Sequence, residues 1–312
     1  MDKTYLGIEI GGSKLQLVTG DDTGTVLARR RLTVDPGQGG PGIRRQMEAA
    51  LGELMLTAPN LRGVGVGFGG PINWRTGVIE RSHQIEGWSG FGLRDWLFSR
   101  TKAPIRLDND ANVGALGEAT HGAGRGYNPV FYITLGSGVG GGLAVNARIY
   151  HGAKPGEAEI GHVRLDRKGA TVESRCSGWA VDAKIRRLKA TDPGSLLSQL
   201  ASNAARGEAK YLEAALAKGD SVARRILRET TEDLAFGLSH VVHLFHPEVI
   251  VIGGGLALLG EPLRAAVAEA LPPFLMEVFS PGPVICLASL GEDAVPVGAL
   301  ELARQPAPES PA

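Results

Sequence analysis

One arrangement restricts this chain more than any other, and it occurs twice: an apolar run, a glycine cluster, then a second apolar run. Leu6–Val18 reads LGIEIGGSKLQLV, and Tyr132–Val145 reads YITLGSGVGGGLAV. Each has the pattern of a β-hairpin with a tight turn, and a glycine turn exposes backbone N–H groups in a concavity suited to an anion. A third cluster, Val249–Gly255 (VIVIGGG), leaves differently, with a buried-type strand running into glycines and then a helix near Glu261-Pro262. The chain holds 45 glycines in 312 residues, roughly twice the usual share of about 7%. Glycine costs backbone entropy, so its positions have reasons. Three such junctions suggest two related halves facing one nucleotide.

The other elements follow from period and punctuation. Val64-Gly65-Val66-Gly67-Phe68 alternates as a strand and stops at Gly69-Gly70-Pro71. Ile105-Arg106-Leu107 is a short strand, and a capping run, Asp108-Asn109-Asp110, precedes helical spacing over Ala111–His121. Residues 181–245 are mainly helical and end in a long amphipathic pattern, SVARRILRETTEDLAFGLSHVVHLF. The proline-rich tail at 305–312 is expected to fray. Strands alternating with helices place the fold in the α/β class.

Charge and cysteine content exclude several classes. Lys+Arg 33 balances Asp+Glu 33, which leaves no electrostatic footprint for nucleic acid or an anionic membrane. Cys176 and Cys286 cannot build a disulfide framework, so a reducing cytoplasm is the expected setting. The start, MDKTYLGIEI, lacks the parts of a signal peptide. The charge-free stretch Gly126–Ala147 has the length of a membrane span, but six glycines, Pro129 and two asparagines argue against a lipid-facing helix.

Two nucleotide signatures fail on inspection. A P-loop needs G-x-x-x-x-G-K-[ST], whereas Ser13 separates Gly12 from Lys14 and a strand follows. Gly136, Gly138 and Gly141 match the G-x-G-x-x-G spacing, yet Leu143-Ala144-Val145 continues as a strand where that fingerprint requires a helix. Two phosphate-binding hairpins remain.

Four motifs in order then become specific: Glu9-Ile10-Gly11-Gly12-Ser13-Lys14, Asn109-Asp110-Ala111-Asn112, Leu135-Gly136-Ser137-Gly138-Val139-Gly140-Gly141-Gly142 and Glu159-Ile160-Gly161-His162. Together they resemble the ROK family of sugar kinases and repressors, from Leu6 to about Ala303. The resemblance implies an actin-like ATPase (ribonuclease H-like) fold, with two α/β domains around a central cleft that holds ATP, Mg²⁺ and a sugar. It places residues 1–120 with 292–312 in a smaller domain and 121–291 in a larger one, with Gly122–Gly126 as a hinge. It assigns Glu9, Gly11, Gly12, Ser13 and Lys14 to the terminal phosphates, with Glu9 near Mg²⁺ held through ATP. Thr134, Gly136, Ser137, Gly138 and Gly140 fall to the inner phosphates, and Gly253, Gly254 and Gly255 to the adenosine. Many relatives carry Asp and Thr where this chain has Glu9 and Ser13, exchanges that keep the charge and the hydroxyl.

Phosphoryl transfer to a hydroxyl needs a positioned nucleophile, an acceptor for its proton and countercharge for the phosphoryl oxygens. Asp110 follows a strand and opens a helix whose N-terminus favours its ionised form. The residues alone leave open whether Asp108, Asn109 or Asp110 merely caps that helix. The resemblance makes Asp110 the catalytic base and Asn109 a sugar ligand. It adds Glu159, His162 and Glu173 as sugar contacts, with Gly70 and Gln84 lining the pocket and Trp88 packing instead. Relatives also carry a C-x-C-G-x-x-G-C cluster that binds zinc with the histidine. Here Val163–Val172 reads VRLDRKGATV, with Thr171 where the last cysteine would stand, so no zinc is expected. His240, His243 and His246 end a helix without an accompanying carboxylate or cysteine at that spacing, and are read as structural.

The function so implied is ATP-dependent phosphorylation of a hexose hydroxyl, with glucose first and fructose, mannose or an N-acetylhexosamine behind it. The alternative is a catalytically degenerate sugar-binding or regulatory protein. A repressor would carry a helix-turn-helix ahead of the kinase-like part, and a first hairpin at Leu6 leaves no room for one. The expected partner is a hexose, without nucleic acid or membrane; homodimers are common in such relatives.

Overall fold

The structure, a computed structural model, describes residues 3–80, 82, 85–153, 156 and 158–306. Strands β1 (Thr4–Ile10), β2 (Lys14–Gly20) and β3 (Val26–Thr33) lead to α1 (Gly39–Met55). Next come β4 (Leu61–Phe68), the short β5 (Ile72–Asn73) and β6 (Val78–Ile79), α2 (Leu93–Thr101), β7 (Ile105–Asn109) and α3 (Asp110–His121). β8 (Val130–Leu135), β9 (Val139–Val145) and β10 (Arg148–Ile149) precede α4 (Val172–Cys176), α5 (Gly178–Thr191), α6 (Leu196–Leu200), α7 (Leu212–Ala217) and α8 (Ser221–Phe245). β11 (Val249–Gly253), α9 (Glu261–Ala270), β12 (Val284–Leu287) and α10 (Ala294–Arg304) follow.

Two five-stranded sheets share one plan, β3-β2-β1-β4-β7 and β10-β9-β8-β11-β12. In the first, β2 runs antiparallel to β1 and β3, while β4 is parallel to β1 and β7. In the second, β10 is antiparallel to β9, and β11 is parallel to β8 and β12. The two glycine modules are the β1–β2 and β8–β9 pairs of these sheets. By contacts the chain forms two compact units: Met1–Gly126 with Gly142–Glu157 and Glu292–Ala312, and Tyr127–Gly141 with Ala158–Gly291.

In unit 1 the alternation of β4 has a physical reason on each face. Val64, Val66 and Phe68 enter a core with Ile8, Leu15, Met47 and Leu51. On the other face, a Cβ at Gly65 would overlap the Ala299 carbonyl oxygen of α10, and one at Gly7 would lie 2.7 Å from the Pro296 oxygen. A Cβ at Gly298 would likewise overlap the Val113 oxygen of α3. Glycine therefore lets α10 approach β1, β4 and α3 at backbone distance. Trp88 is 1% exposed and packs edge-on against Phe68 and Phe91 at 5.5 and 5.6 Å.

In unit 2, Val249–Ile252 of β11, an interior strand between β8 and β12, are all fully buried, as a strand covered on both faces requires. α8 starts with Asp220 accepting the Val222 and Ala223 N–H groups at 2.8 and 2.7 Å, and buries Ile226, Leu234, Leu238 and Val242 along one face. At its far end His243 Nε2 faces the Met276 N–H at 3.2 Å, and the His246 ring packs on Phe279 at 4.8 Å. No described helix is long and apolar enough to cross a membrane.

Candidate active site

The expected site residues of unit 1 gather at the carboxyl ends of β1, β4 and β7, where an α/β sheet presents loops and helix N-termini to a ligand. The Gly11 N–H closes the first turn on the Lys14 carbonyl at 2.9 Å, and Gly69 donates its N–H to the Ile10 carbonyl at 2.8 Å. A Cβ at Gly69 would stand 3.3 Å from both Asp110 Oδ2 and the Ile10 oxygen. The Asp110 carboxylate, the Gly69–Gly70 loop and the end of β1 are thus immediate neighbours. Asn109 settles which residue caps α3. Its Oδ1 accepts the Ala111 N–H at 2.9 Å, its Nδ2 donates to the Gly70 carbonyl at 3.4 Å, and Asp110 is left as the first helical residue.

Glu9 carries two partners in the same turn. Lys14 Nζ lies 3.0 Å from its Oε1, and Gln16 Nε2 donates to its Oε2 at 2.9 Å. Gln16 is fully buried, and its Oε1 has no hydrogen-bond partner among the described residues. Gly12 is partly buried, and Ser13 is exposed at the tip of the turn.

Unit 2 repeats the arrangement with different supports. The second turn closes through the Gly136 N–H and Gly138 carbonyl at 3.0 Å, and the Gly178 N–H at the start of α5 donates to the Gly136 carbonyl at 2.7 Å. Glu173 of α4 reaches this turn: its Oε2 accepts the Val139 N–H at 2.9 Å, and a Cβ at Gly138 would come within 2.5 Å of that oxygen. Gly254 has φ +81° and lies against Leu135, whose backbone a Cβ would meet at 2.6–2.7 Å, so no other residue fits. Gly253 pairs with Thr134 in the β11–β8 register. Gly136 and Gly255 open onto free space, Ser137 is exposed at the tip, and Gly140 is partly buried in β9. The 3-10 turn Ile160–His162 packs against the start of β9, since a Cβ at Gly161 would overlap the Val139 oxygen. His162 is 76% exposed, with its Nε2 3.9 Å from Glu159 Oε2. Gln84 lies outside the described residues.

The segment between His162 and Glu173 closes on itself. The Leu165 N–H bonds the Ala170 carbonyl at 2.8 Å and the Val172 N–H bonds the Val163 carbonyl at 3.1 Å. The Asp166 carboxylate accepts the Lys168 and Ala170 N–H groups at 2.7 and 3.0 Å. Those bonds hold its pKa below the usual carboxylate range. Thr171 and Ser174 form a capping box that starts α4. Cys176, fully buried, has its thiol pushed up to about 12 by burial, which suits packing rather than ligation. Among the described residues no group of three or more His, Cys, Asp or Glu side chains is arranged to hold a metal ion.

The sequence assigns no role to Trp74 or His151, includes Asn112 only as part of the Asn109–Asn112 motif, and offers Asp108 only as a candidate cap. All four meet beside the strand end that carries Asn109 and Asp110. Polar residues 108 and 112, four positions apart across the β7–α3 junction, are the one local signal. Trp74 and His151 come from distant segments and gave none.

A duplicated five-stranded plan, with a glycine hairpin in each copy and an acidic group at a strand end, defines an actin-like ATPase fold. Within that class the chain belongs to the ROK family, whose model matches residues 5–306. It is 30% identical to a glucokinase of Halalkalibacterium halodurans over 320 residues, covering 97% of this chain and 96% of that protein. A glucokinase of Thermotoga maritima is also 30% identical, over 96% of this chain and 97% of the relative. The crystal structure of a ROK family glucokinase from Streptomyces griseus, in complex with glucose and AMPPNP, matches with TM-score 0.83 and 28% identity, covering 97% and 100% of the two chains.

Proposed function

We propose that this protein is an ATP-dependent hexose kinase that transfers the terminal phosphoryl group of ATP to a sugar hydroxyl, with glucose as the first candidate. Fructose, mannose and N-acetylhexosamines are the next to test. The observation that carries this reading is the Asp110 carboxylate at the start of α3, against Gly69 and the end of β1. The similarity to glucokinases over nearly the whole chain supports it.

In this reading Asp110 accepts the proton of the attacking hydroxyl from the first position of α3, where the helix N-terminus favours a negative charge. Asn109 spends one amide hydrogen on Gly70 and offers the other to an adjacent hydroxyl; by the family resemblance Gly70 and Gln84 line the sugar pocket. Glu159, His162 and Glu173 serve as further sugar ligands. Glu173 gives one oxygen to Val139 and keeps the other for a hydroxyl. Lys14 and the turn N–H groups of Gly12 and Ser13 supply countercharge at the terminal phosphates beside Gly11, while Thr134, Gly136, Ser137, Gly138, Gly140 and Gly253–Gly255 hold the rest of the nucleotide. The Glu9 carboxylate and Ser13 hydroxyl are oxygen donors that fit a hard cation, and Mg²⁺ entering with ATP would supply charge neutralisation there. Zinc has no part in this reading, because residues 163–172 contain no cysteine. A cytoplasmic setting, no nucleic-acid partner and a homodimer complete the proposal.

The test is ADP release from Mg-ATP across a hexose panel. Sugar-dependent release for at least one hexose is expected. Sugar binding without release above the ATP-only background would instead make the protein a binding or regulatory module.

A further inference from the structure

Asp108 is a buried carboxylate, 3% exposed, with both oxygens in use. Its Oδ1 accepts the Asn109 N–H at 2.9 Å and Asn112 Nδ2 at 2.8 Å, while its Oδ2 meets His151 Nε2 at 2.5 Å. His151, two residues beyond β10, stacks its ring on the Trp74 indole with centroids 4.0 Å apart and planes at 15°. Trp74 stands between β5 and β6, where its carbonyl receives Arg94 at 2.7 Å. Asn112 Nδ2 also donates to the Gly156 carbonyl at 3.1 Å, and a Cβ at Gly156 would lie 3.2 Å from Trp74 Nε1. All these groups belong to unit 1.

A carboxylate removed from water depends on its donors, and losing one leaves an uncompensated charge or forces uptake of a proton. Asp108 also holds the peptide N–H of Asn109, the residue that caps α3 and so sets where Asp110 begins the helix. A disturbance at Asp108 Oδ2 is therefore passed through one peptide plane and one cap to the Asp110 carboxylate.

We propose that His151 is a positioning residue for phosphoryl transfer, its Nε2–H donor on Asp108 fixing the peptide that carries Asn109 and Asp110. The Trp74 stack fixes the imidazole ring. The inference rests on the kinase reading above, and deepens it by adding a residue that acts through Asp108 and Asn109.

Two substitutions separate donor from ring. His151→Gln keeps an N–H donor within reach of Asp108 Oδ2 and loses the ring. His151→Phe keeps the ring on Trp74 and loses the donor. With Mg-ATP and a hexose that the wild type turns over, His151→Phe is expected to lower kcat on the order of 10–100-fold, the scale of a small misplacement of reacting groups. Sugar KM should stay within about threefold, because of the proposed sugar ligands only Asn109 lies on the disturbed peptide. His151→Gln should recover most of the lost kcat. A kcat for His151→Phe equal to wild type, or equal losses in both variants, overturns the inference. Should His151→Phe not fold, His151→Asn replaces it, since its shorter amide cannot reach Oδ2; equal kcat in the Asn and Gln variants then overturns the proposal. A wild type inactive on every hexose removes the kinase reading and this inference together, whereas an active wild type with an unaffected donor-less variant removes the inference alone.

Discussion

Asn109 and Asp110 are adjacent, chemically similar and yet do different work. Asn109 spends its side-chain oxygen on the first free N–H of α3, and Asp110, relieved of capping, keeps its carboxylate beside Gly69 at the end of β1. Asp110→Asn keeps the shape and removes the proposed proton acceptor. It is expected to bind hexose with near wild-type affinity while kcat falls roughly 10²–10⁴-fold. Steady-state ADP release paired with sugar-binding calorimetry checks this, and unchanged turnover would return Asp110 to a structural role. Much at this level was legible in advance, because the Asn-Asp pair, the glycine turns and the absence of cysteine in 163–172 are local patterns. The burial of Cys176 under α8 and the Trp74–His151 stack were not, since each joins segments far apart in the chain.

The secondary-structure elements were read from period with good reason, but their partners were not. Alternation marks Val64–Phe68 as a strand without saying that its glycine face exists to admit α10, more than two hundred residues later. Gly65→Ala tests that contact. The added methyl has no space against the Ala299 carbonyl, and overpacking of this kind costs about 1–3 kcal/mol. A lower midpoint in urea with an unchanged slope is the expected result. A second hidden pairing joins α5 to the 3-10 turn Glu208–Tyr211. Glu208 has no exposed side-chain surface, and Arg186 holds it with two bonds of 2.9 Å. Burial alone would raise the Glu208 pKa, but the Arg186 bonds, a backbone hydrogen bond and the Lys189 charge together outweigh it and hold the carboxyl below its usual value. A folded pKa below the unfolded one means that the pair stabilises above the ordinary value of 4.5, and that this contribution is lost as pH falls through the folded value. Arg186→Met strands the carboxylate. Its thermal midpoint should therefore lie furthest below wild type near neutral pH, with the gap closing in acid as Glu208 takes up a proton. A gap independent of pH would show that Arg186 acts through packing alone.

The chain as a whole leaves unit 1, returns for residues 142–157, and returns again at 292. The last return is pinned by Arg29–Asp293 at 2.7 Å and by Arg31, which meets both oxygens of Glu292 at 2.5 and 3.1 Å. These exposed pairs add little stability, and the weight rests on α10 seated on β1, β4 and α3. A chain ending at residue 291 should therefore lose amide-exchange protection in β1, β4 and α3, while β8 and β11 keep theirs if unit 2 folds independently. Unchanged protection in β1 and β4 would show that α10 is only a covering.

Local chemistry alone specified a duplicated α/β chain with two glycine-turn hairpins, a capped helix bearing an aspartate, and a family resemblance strong enough to name an activity. Those features survive in sequence because turn geometry, capping and strand period each depend on a few consecutive residues. Folding in three dimensions chose the partners: α10 for Gly65, Arg186 for Glu208, His151 for Asp108. Each of those depends on which distant segments share a core, and no short stretch of chain carries that information.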